Sequence, residues 1–116
     1  MGKDLQALIN SLREFSSQRD WDQFHSPKNL ASALTVEAAE LLEHFQWLTE
    51  AQSRELPADK RVAVGEEMAD VLLYLLRLSD QLNIDLVEAA KRKLTLNAAK
   101  YPVDRSRGSS KKYTEL

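Results

Sequence analysis

The sequence predicts an all-α fold, on three observations. Apolar residues recur at three- and four-residue spacing in four segments, capping and breaking residues fall at the segment ends, and no alternating strand-like run of useful length occurs. The first helix is expected from about Asp4 to Arg19, with Leu5, Leu8, Ile9, Leu12 and Phe15 at helical spacing. A loop, DWDQFHSPKN, follows it. Ser26-Pro27 suits the start of a second helix, because Ser caps an N-terminus well and Pro is tolerated in the first turn. That helix is expected to reach Trp47. The polar stretch TEAQSRELPAD reads as a loop, and a third helix as running from Asp59 to Leu82. After a break at Asn83-Ile84, Asp85-Leu86-Val87-Glu88 resembles a capping box that opens the fourth helix. Pro102 ends it near Tyr101, because the residue before a proline is pushed out of helical geometry. The remaining tail, VDRSRGSSKKYTEL, is polar and basic and alone would be disordered.

Composition narrows the function classes. A chain of 116 residues, 43% hydrophobic and 29% charged, fits one soluble globular domain. A formal net charge of -2 offers no basic excess for nucleic acid, and no nucleic-acid partner is expected. The absence of cysteine excludes disulfides, thiolate catalysis and Cys-ligated metal sites. No signal-peptide pattern and no run of transmembrane length occurs, so the expected location is cytoplasmic, without a membrane partner. So short a chain buries only a modest core alone, which makes an obligate oligomer plausible. With only Gly2, Gly65 and Gly108, there is no glycine-rich phosphate loop. Gly65 falls mid-helix, at a cost of about 1 kcal/mol against Ala; it either allows close helix approach or has no role. His25 and His44 have no nearby Ser, Cys or second His that would suggest a nucleophilic triad.

The informative feature is a pair of acids in the wrong place, occurring twice. At about 100° per residue, Glu37 and Glu40 fall on the side of Leu30, Ala33, Leu34 and Leu41, whereas Glu43 falls outside it. Glu67 and Asp70 likewise join Ala63, Val64, Val71 and Leu78, with Glu66 off that face. The segments EAAELL and EMADVL align without gaps. Side chains three apart on a helix stand about 5–6 Å from each other, so each pair can grip one cation. Burying an unpaired carboxylate costs several kcal/mol, and four of them would repel one another. No Lys or Arg lies near these acids on the interior faces. A hard divalent cation, Mg²⁺ or Mn²⁺, therefore fits better than a salt-bridge network. A ferritin-like di-iron centre would need Glu-x-x-His pairs, which the chain lacks.

Mg²⁺ sites of this kind leave positions for water and phosphates. Lys93, Asn97 and Lys100 share one face of the fourth helix and can donate to phosphate oxygens. Arg105, Arg107, Lys111 and Lys112 of the tail could close over a polyanion. Trp21, Phe24 and Trp47 are candidate platforms for a nucleobase, each stack being worth about 1–3 kcal/mol.

Glu37-x-x-Glu40 followed by Glu67-x-x-Asp70 resembles the signature of the all-α nucleoside triphosphate pyrophosphohydrolases, the MazG-like superfamily. The match is closest to the dCTP pyrophosphatase branch, through RDWDQFHSPKNL, EAAELLEHFQW, EEMADVLLYL, the run Lys93…Asn97…Lys100-Tyr101-Pro102, and SSKKYTEL. The resemblance implies a four-helix bundle assembled as a homodimer or as a homotetramer (a dimer of dimers). It implies Mg²⁺ held by Glu37, Glu40, Glu67 and Asp70, and cleavage of a nucleoside triphosphate to the monophosphate and pyrophosphate. Trp21 and Trp47 would enclose the base; Tyr74, Lys93 and Asn97 would line the sugar and phosphates. Lys100 stands where relatives carry Arg. The catalytic residues expected on this basis are Glu40 and Glu67, with Glu40 preferred as the base that takes the proton of water. Residues 1–104 would form the catalytic domain and 105–116 a basic tail closing over the site. Two other readings use the same residues. One is a broad housekeeping hydrolase of non-standard nucleotides; the other is a non-enzymatic helical module whose inward acids form salt bridges across an interface.

Overall fold

A computed structural model describes residues 1–116. The elements are all helical, and the chain forms two compact units, Gly2–Ile84 and Met1 with Asp85–Leu116. No helix is long and apolar enough to cross a membrane.

The first unit contains α1 (Lys3–Gln18), α2 (Pro27–Glu43), α3 (Glu50–Arg54) and α4 (Ala58–Gln81). The long helix α4 is the spine, packed chiefly against α2 and also against α1. Its apolar centre is small: Ile9, Leu30, Val64 and Leu76 are the buried aliphatic side chains, with Leu30 at 1% and Leu76 at 0% exposure. Capping explains most boundaries. Ser26 Oγ accepts from the Asn29 backbone N–H at 3.2 Å, with Pro27 in the first turn of α2, as expected.

Helices α1 and α4 close with the same device. At the end of α1, Asp20 takes φ 54°, its N–H donates to Ser17 O at 3.1 Å, and the Trp21 N–H donates to Ser16 O at 2.9 Å. At the end of α4, Asn83 takes φ 55°, its N–H donates to Asp80 O at 3.1 Å, and the Ile84 N–H donates to Ser79 O at 2.9 Å. These are Schellman caps, in which a left-handed residue turns orphan carbonyls back onto the chain; short polar Asp and Asn tolerate that conformation best after Gly. The first cap also fixes where Trp21 leaves α1.

Three expectations need correction. The second helix stops at Glu43 rather than Trp47. Beyond it His44 N–H donates to Leu41 O, and Phe45 and Gln46 N–H both donate to Leu42 O, so tightened turns satisfy the carbonyls where His, Phe and Trp favour helix only weakly. The stretch TEAQSRELPAD contains α3, because Thr49 and Gln52 form a complete capping box: Gln52 N–H to Thr49 Oγ1 at 3.2 Å, and Thr49 N–H to Gln52 Oε1 at 3.0 Å. Asp85 does cap the fourth long helix, accepting from Glu88 N–H at 3.1 Å. The reciprocal half of that box is absent, since Glu88 instead approaches Lys91 at 3.9 Å.

The second unit consists of α5 (Leu86–Lys100), α6 (Val103–Ser106) and a 3₁₀ turn at Tyr113–Glu115. Here the end of the tail packs against the end of α5. Tyr113 meets Tyr101 edge-on at 6.0 Å, and Lys100 Nζ lies 4.9 Å from the centre of the Tyr113 ring. An aromatic pair with a cation over one ring gives this polar segment an anchor that composition does not reveal.

Gly65 is exposed, and a Cβ built there meets nothing within 4 Å. No close helix approach requires it. Gly65→Ala is therefore expected to stabilise the protein by up to about 1 kcal/mol, read as a rise in the urea midpoint at unchanged m-value.

Candidate active site

The inward register holds for Glu37, Glu40 and Glu67, which are half-buried, whereas Asp70 is exposed at the edge of that face. On α2, Leu30 is buried and Ala33, Leu34 and Leu41 are half-buried, and Glu37 and Glu40 share that face; Glu43 is exposed. On α4, Val64 is buried, Glu67 is half-buried beside Ala63 and Val71, and Glu66 is exposed. Because α2 and α4 pack against each other, the two acidic pairs meet. One carboxylate oxygen from each of Glu37, Glu67 and Asp70 can be chosen so that all lie within 4.8 Å of one another. Glu40 completes the cluster from the side, within hydrogen-bonding reach of both Glu37 and Glu67.

No lysine, arginine or histidine balances these charges. The ion pairs of the structure involve Asp85, Asp80, Glu50, Asp22 and Glu88, and none of the four acids. Two consequences follow. A hydrogen-bonding contact with Glu40, loss of water and the neighbouring Glu37 push the Glu67 carboxyl up to about 7. Loss of water and the neighbouring Glu40 push Glu37 up as well. Glu37 Oε2 is buried and has no hydrogen-bond partner. Buried polar atoms almost always find a partner. An orphaned oxygen among uncompensated carboxylates is the donor set that a hard divalent cation satisfies.

Beside the acids lies a cavity of about 210 Å³, lined by Leu12, Phe15, Ser16, Trp21, His25, Asp70, Leu73, Tyr74 and Arg77. Asp70 belongs to both the cluster and the cavity wall. Trp21 stands edge-on to Phe15 at 5.6 Å and to His25 at 6.3 Å. The guanidinium of Arg19 covers the Phe15 ring at 3.6 Å. This is an aromatic-walled pocket that shares Asp70 with the acidic centre.

Of the residues singled out from sequence, Glu37, Glu40, Glu67, Asp70, Trp21 and Tyr74 come together in this unit. Trp47 does not join the cavity; it is 86% exposed in the turn after α2. Phe24 is exposed too. Lys93 and Asn97 lie on α5 with free side chains, and Lys100 is engaged by Tyr113. Leu12, Phe15, Ser16, His25, Leu73 and Arg77 also line the cavity, which the sequence does not predict. Only Arg77 carried a signal: it is a charged residue between Leu76 and Leu78, and it is just 6% exposed.

The helical scaffold thus brings two Glu-x-x-acid pairs, one from α2 and one from α4, to a shared acidic centre. Residues 33–116 match the MazG-like family, and the chain belongs to that family. It is 47% identical to dCTP pyrophosphatase 1 of Mus musculus over 105 residues, and 44% identical to dCTP pyrophosphatase 1 of Homo sapiens over the same length. Each alignment covers 89% of this chain and 62% of the relative, so the chain spans under two thirds of those proteins. It is also similar to a pyrophosphatase crystal structure from Archaeoglobus fulgidus, with a TM-score of 0.82 and 44% identity, over 88% of this chain and 95% of that one.

Proposed function

We propose that this protein is a Mg²⁺-dependent nucleoside triphosphate pyrophosphohydrolase that converts dCTP, or a related pyrimidine deoxynucleotide, to the monophosphate and pyrophosphate. The observation that carries this reading is the buried, partnerless Glu37 Oε2 in a carboxylate cluster that shares Asp70 with an aromatic-walled cavity. The similarity to dCTP pyrophosphatases supports the choice of substrate.

Glu37, Glu67 and Asp70, with Glu40 beside them, would hold the metal. A divalent cation supplies charge neutralisation and Lewis acidity toward a triphosphate. The chain's own residues do the rest. Trp21 and Tyr74 place the base and sugar in the cavity. Glu40, lying beside the three clustered oxygens and not among them, takes the proton of the water that attacks the α-phosphorus. Lys93, Asn97 and Lys100 donate to phosphate oxygens and stabilise the leaving pyrophosphate. Residues 1–104 serve as the catalytic domain, and tail residues 105–116 close over the bound polyanion. Trp47 closes on the base from the turn after α2.

Self-association into a dimer or tetramer belongs to the same proposal. Val36 and Leu42 of α2 and Val62, Met68 and Leu72 of α4 are exposed aliphatic side chains. A core this small leaves them as the surface a second copy would cover.

The test is a panel of nucleoside triphosphates incubated with protein and Mg²⁺, with products separated. Monophosphate and pyrophosphate from dCTP support the proposal. Orthophosphate with a diphosphate rules out the cleavage position, and no turnover of any nucleotide favours the interaction-module reading.

Metal binding has a signature in stability. The folded-state carboxyl of Glu67 titrates near 7, well above its ordinary 4.5. The contribution of this group to the metal-free protein is thus greatest below about pH 4.5 and is lost as pH rises through about 7. A cation needs the deprotonated cluster. The rise in Tm produced by Mg²⁺ is therefore expected to grow from near zero at pH 5 to a plateau above pH 8, and calorimetry should record proton release on binding near pH 7. At about 100 times Kd the stabilisation is about 2.7 kcal/mol. A Tm indifferent to Mg²⁺ across this range would count against the metal site.

A further inference from the structure

Arg77 is a buried cation with three partners. Its Nε–H donates to His25 Nδ1 at 3.2 Å, its Nη2 group donates to Asp22 Oδ1, and its Nη1 lies 3.6 Å from Asp80 Oδ2. Asp80 is itself gripped by Arg13, through Nε at 2.8 Å and Nη2 at 2.5 Å. The guanidinium is thus held by a carboxylate on either side, and both Arg77 and His25 line the cavity.

The bond to His25 has a chemical consequence. A guanidinium is always protonated and has no acceptor, so the imidazole nitrogen facing it must carry the lone pair. A neutral imidazole with a bare Nδ1 carries its proton on Nε2. Turning the ring over would set a C–H against the Arg77 donor, so the same contact fixes the ring's orientation. Charge follows the same direction. Loss of water and the Arg77 charge lower the His25 pKa, only partly opposed by Asp22, which keeps the ring neutral at physiological pH. The Nε2–H has no partner within the protein.

We propose that Arg77 is a positioning residue for base recognition: by occupying His25 Nδ1 it locks His25 as the Nε2–H tautomer, and that N–H donates to a carbonyl oxygen or bare ring nitrogen on the edge of a base lodged against Trp21. The inference rests on the nucleotide reading of the cavity. It supplies what stacking lacks, because every base has a π-face and an aromatic wall alone does not read an edge.

Two measurements test it, and neither needs turnover. The chain has only His25 and His44, so ¹⁵N-histidine correlation spectra, assigned with His44→Gln, report the tautomer directly. The wild type is expected to show His25 protonated at Nε2 and bare at Nδ1, and Arg77→Met to show a mixture. A wild-type His25 protonated at Nδ1, or a tautomer unchanged in Arg77→Met, overturns the proposal. The second measurement is the Kd for the α,β-imido analogue of dCTP with Mg²⁺, in variants that leave Arg77 in place. His25→Gln, whose amide nitrogen can stand where Nε2 stood, is expected to stay within about 2-fold of wild type, and His25→Leu to weaken binding about 3–10-fold, the worth of one neutral hydrogen bond. Equal loss in both variants, or loss in neither, overturns it. An analogue bound with this pattern, alongside absent hydrolysis of dCTP, would sink the proposed activity and leave the His25 assignment standing. No binding of the analogue to the wild type would sink both.

Discussion

Glu40→Gln and Glu67→Gln are each expected to lower dCTP turnover by about 10²–10⁴-fold, the usual range for removing a positioned acid or base. Both are also expected to raise the Tm of the metal-free protein. The two effects have one cause. Glu40, Glu37 and Glu67 crowd their oxygens together with no cation among their ion-pair partners, and the folded state bears that repulsion as a raised Glu67 pKa. Gln keeps the shape, removes one charge and donates a hydrogen bond to the neighbouring carboxylate. The same change deletes either the base or a metal-binding oxygen. Loss of activity with gain of stability is the pattern of a site whose function opposes folding. A structural salt-bridge cluster would show the reverse, because removing one partner of a buried pair destabilises. Differential scanning calorimetry in EDTA, with steady-state rates in Mg²⁺, separates the two cases.

Leu76→Ala is expected to cost about 2–5 kcal/mol. Leu76 is 0% exposed and lies on α4 beside Arg77, so the substitution leaves a void in the spine of the first unit. A small domain holds only about 5–15 kcal/mol in total, and the buried aliphatic core here is limited to Ile9, Leu30, Val64 and Leu76. The loss is therefore a large share of the whole, and urea unfolding monitored by circular dichroism should show it as a much lower midpoint. Leu30→Ala should behave alike, since Leu30 is as deeply buried on α2.

The acids were legible in the sequence because two helices break the amphipathic rule in the same register, and a helix's period converts that directly into a shared face. Ser26, Pro27 and Asp85 were legible for a similar reason: capping is local chemistry, read within four residues. Thr49 and Gln52 carried an equally local signal, yet five helical residues without an apolar stripe resemble a loop when periodicity is the criterion. The early end of α2 at Glu43 depends on tightened turns that no single residue announces. The cavity was out of reach for a different reason. Leu12 and Phe15 come from α1, Trp21 and His25 from the loop, and Leu73, Tyr74 and Arg77 from α4. Their meeting depends on tertiary packing and on the left-handed Asp20 that turns the chain after α1. Arg77 shows the limit most clearly. Its position between Leu76 and Leu78 hints at burial, but two of its three partners, His25 and Asp22, lie 52 and 55 residues away.

The most direct measurement is mass analysis of the products of dCTP hydrolysis in H₂¹⁸O with Mg²⁺. Water attacking the α-phosphorus leaves the label in dCMP and none in pyrophosphate, and this is the expected result. Label in pyrophosphate would place the attack on the β-phosphorus, and labelled orthophosphate with dCDP would place it on the γ-phosphorus. Either outcome would contradict a site in which Glu37, Glu40, Glu67 and Asp70 direct water onto the α-phosphorus.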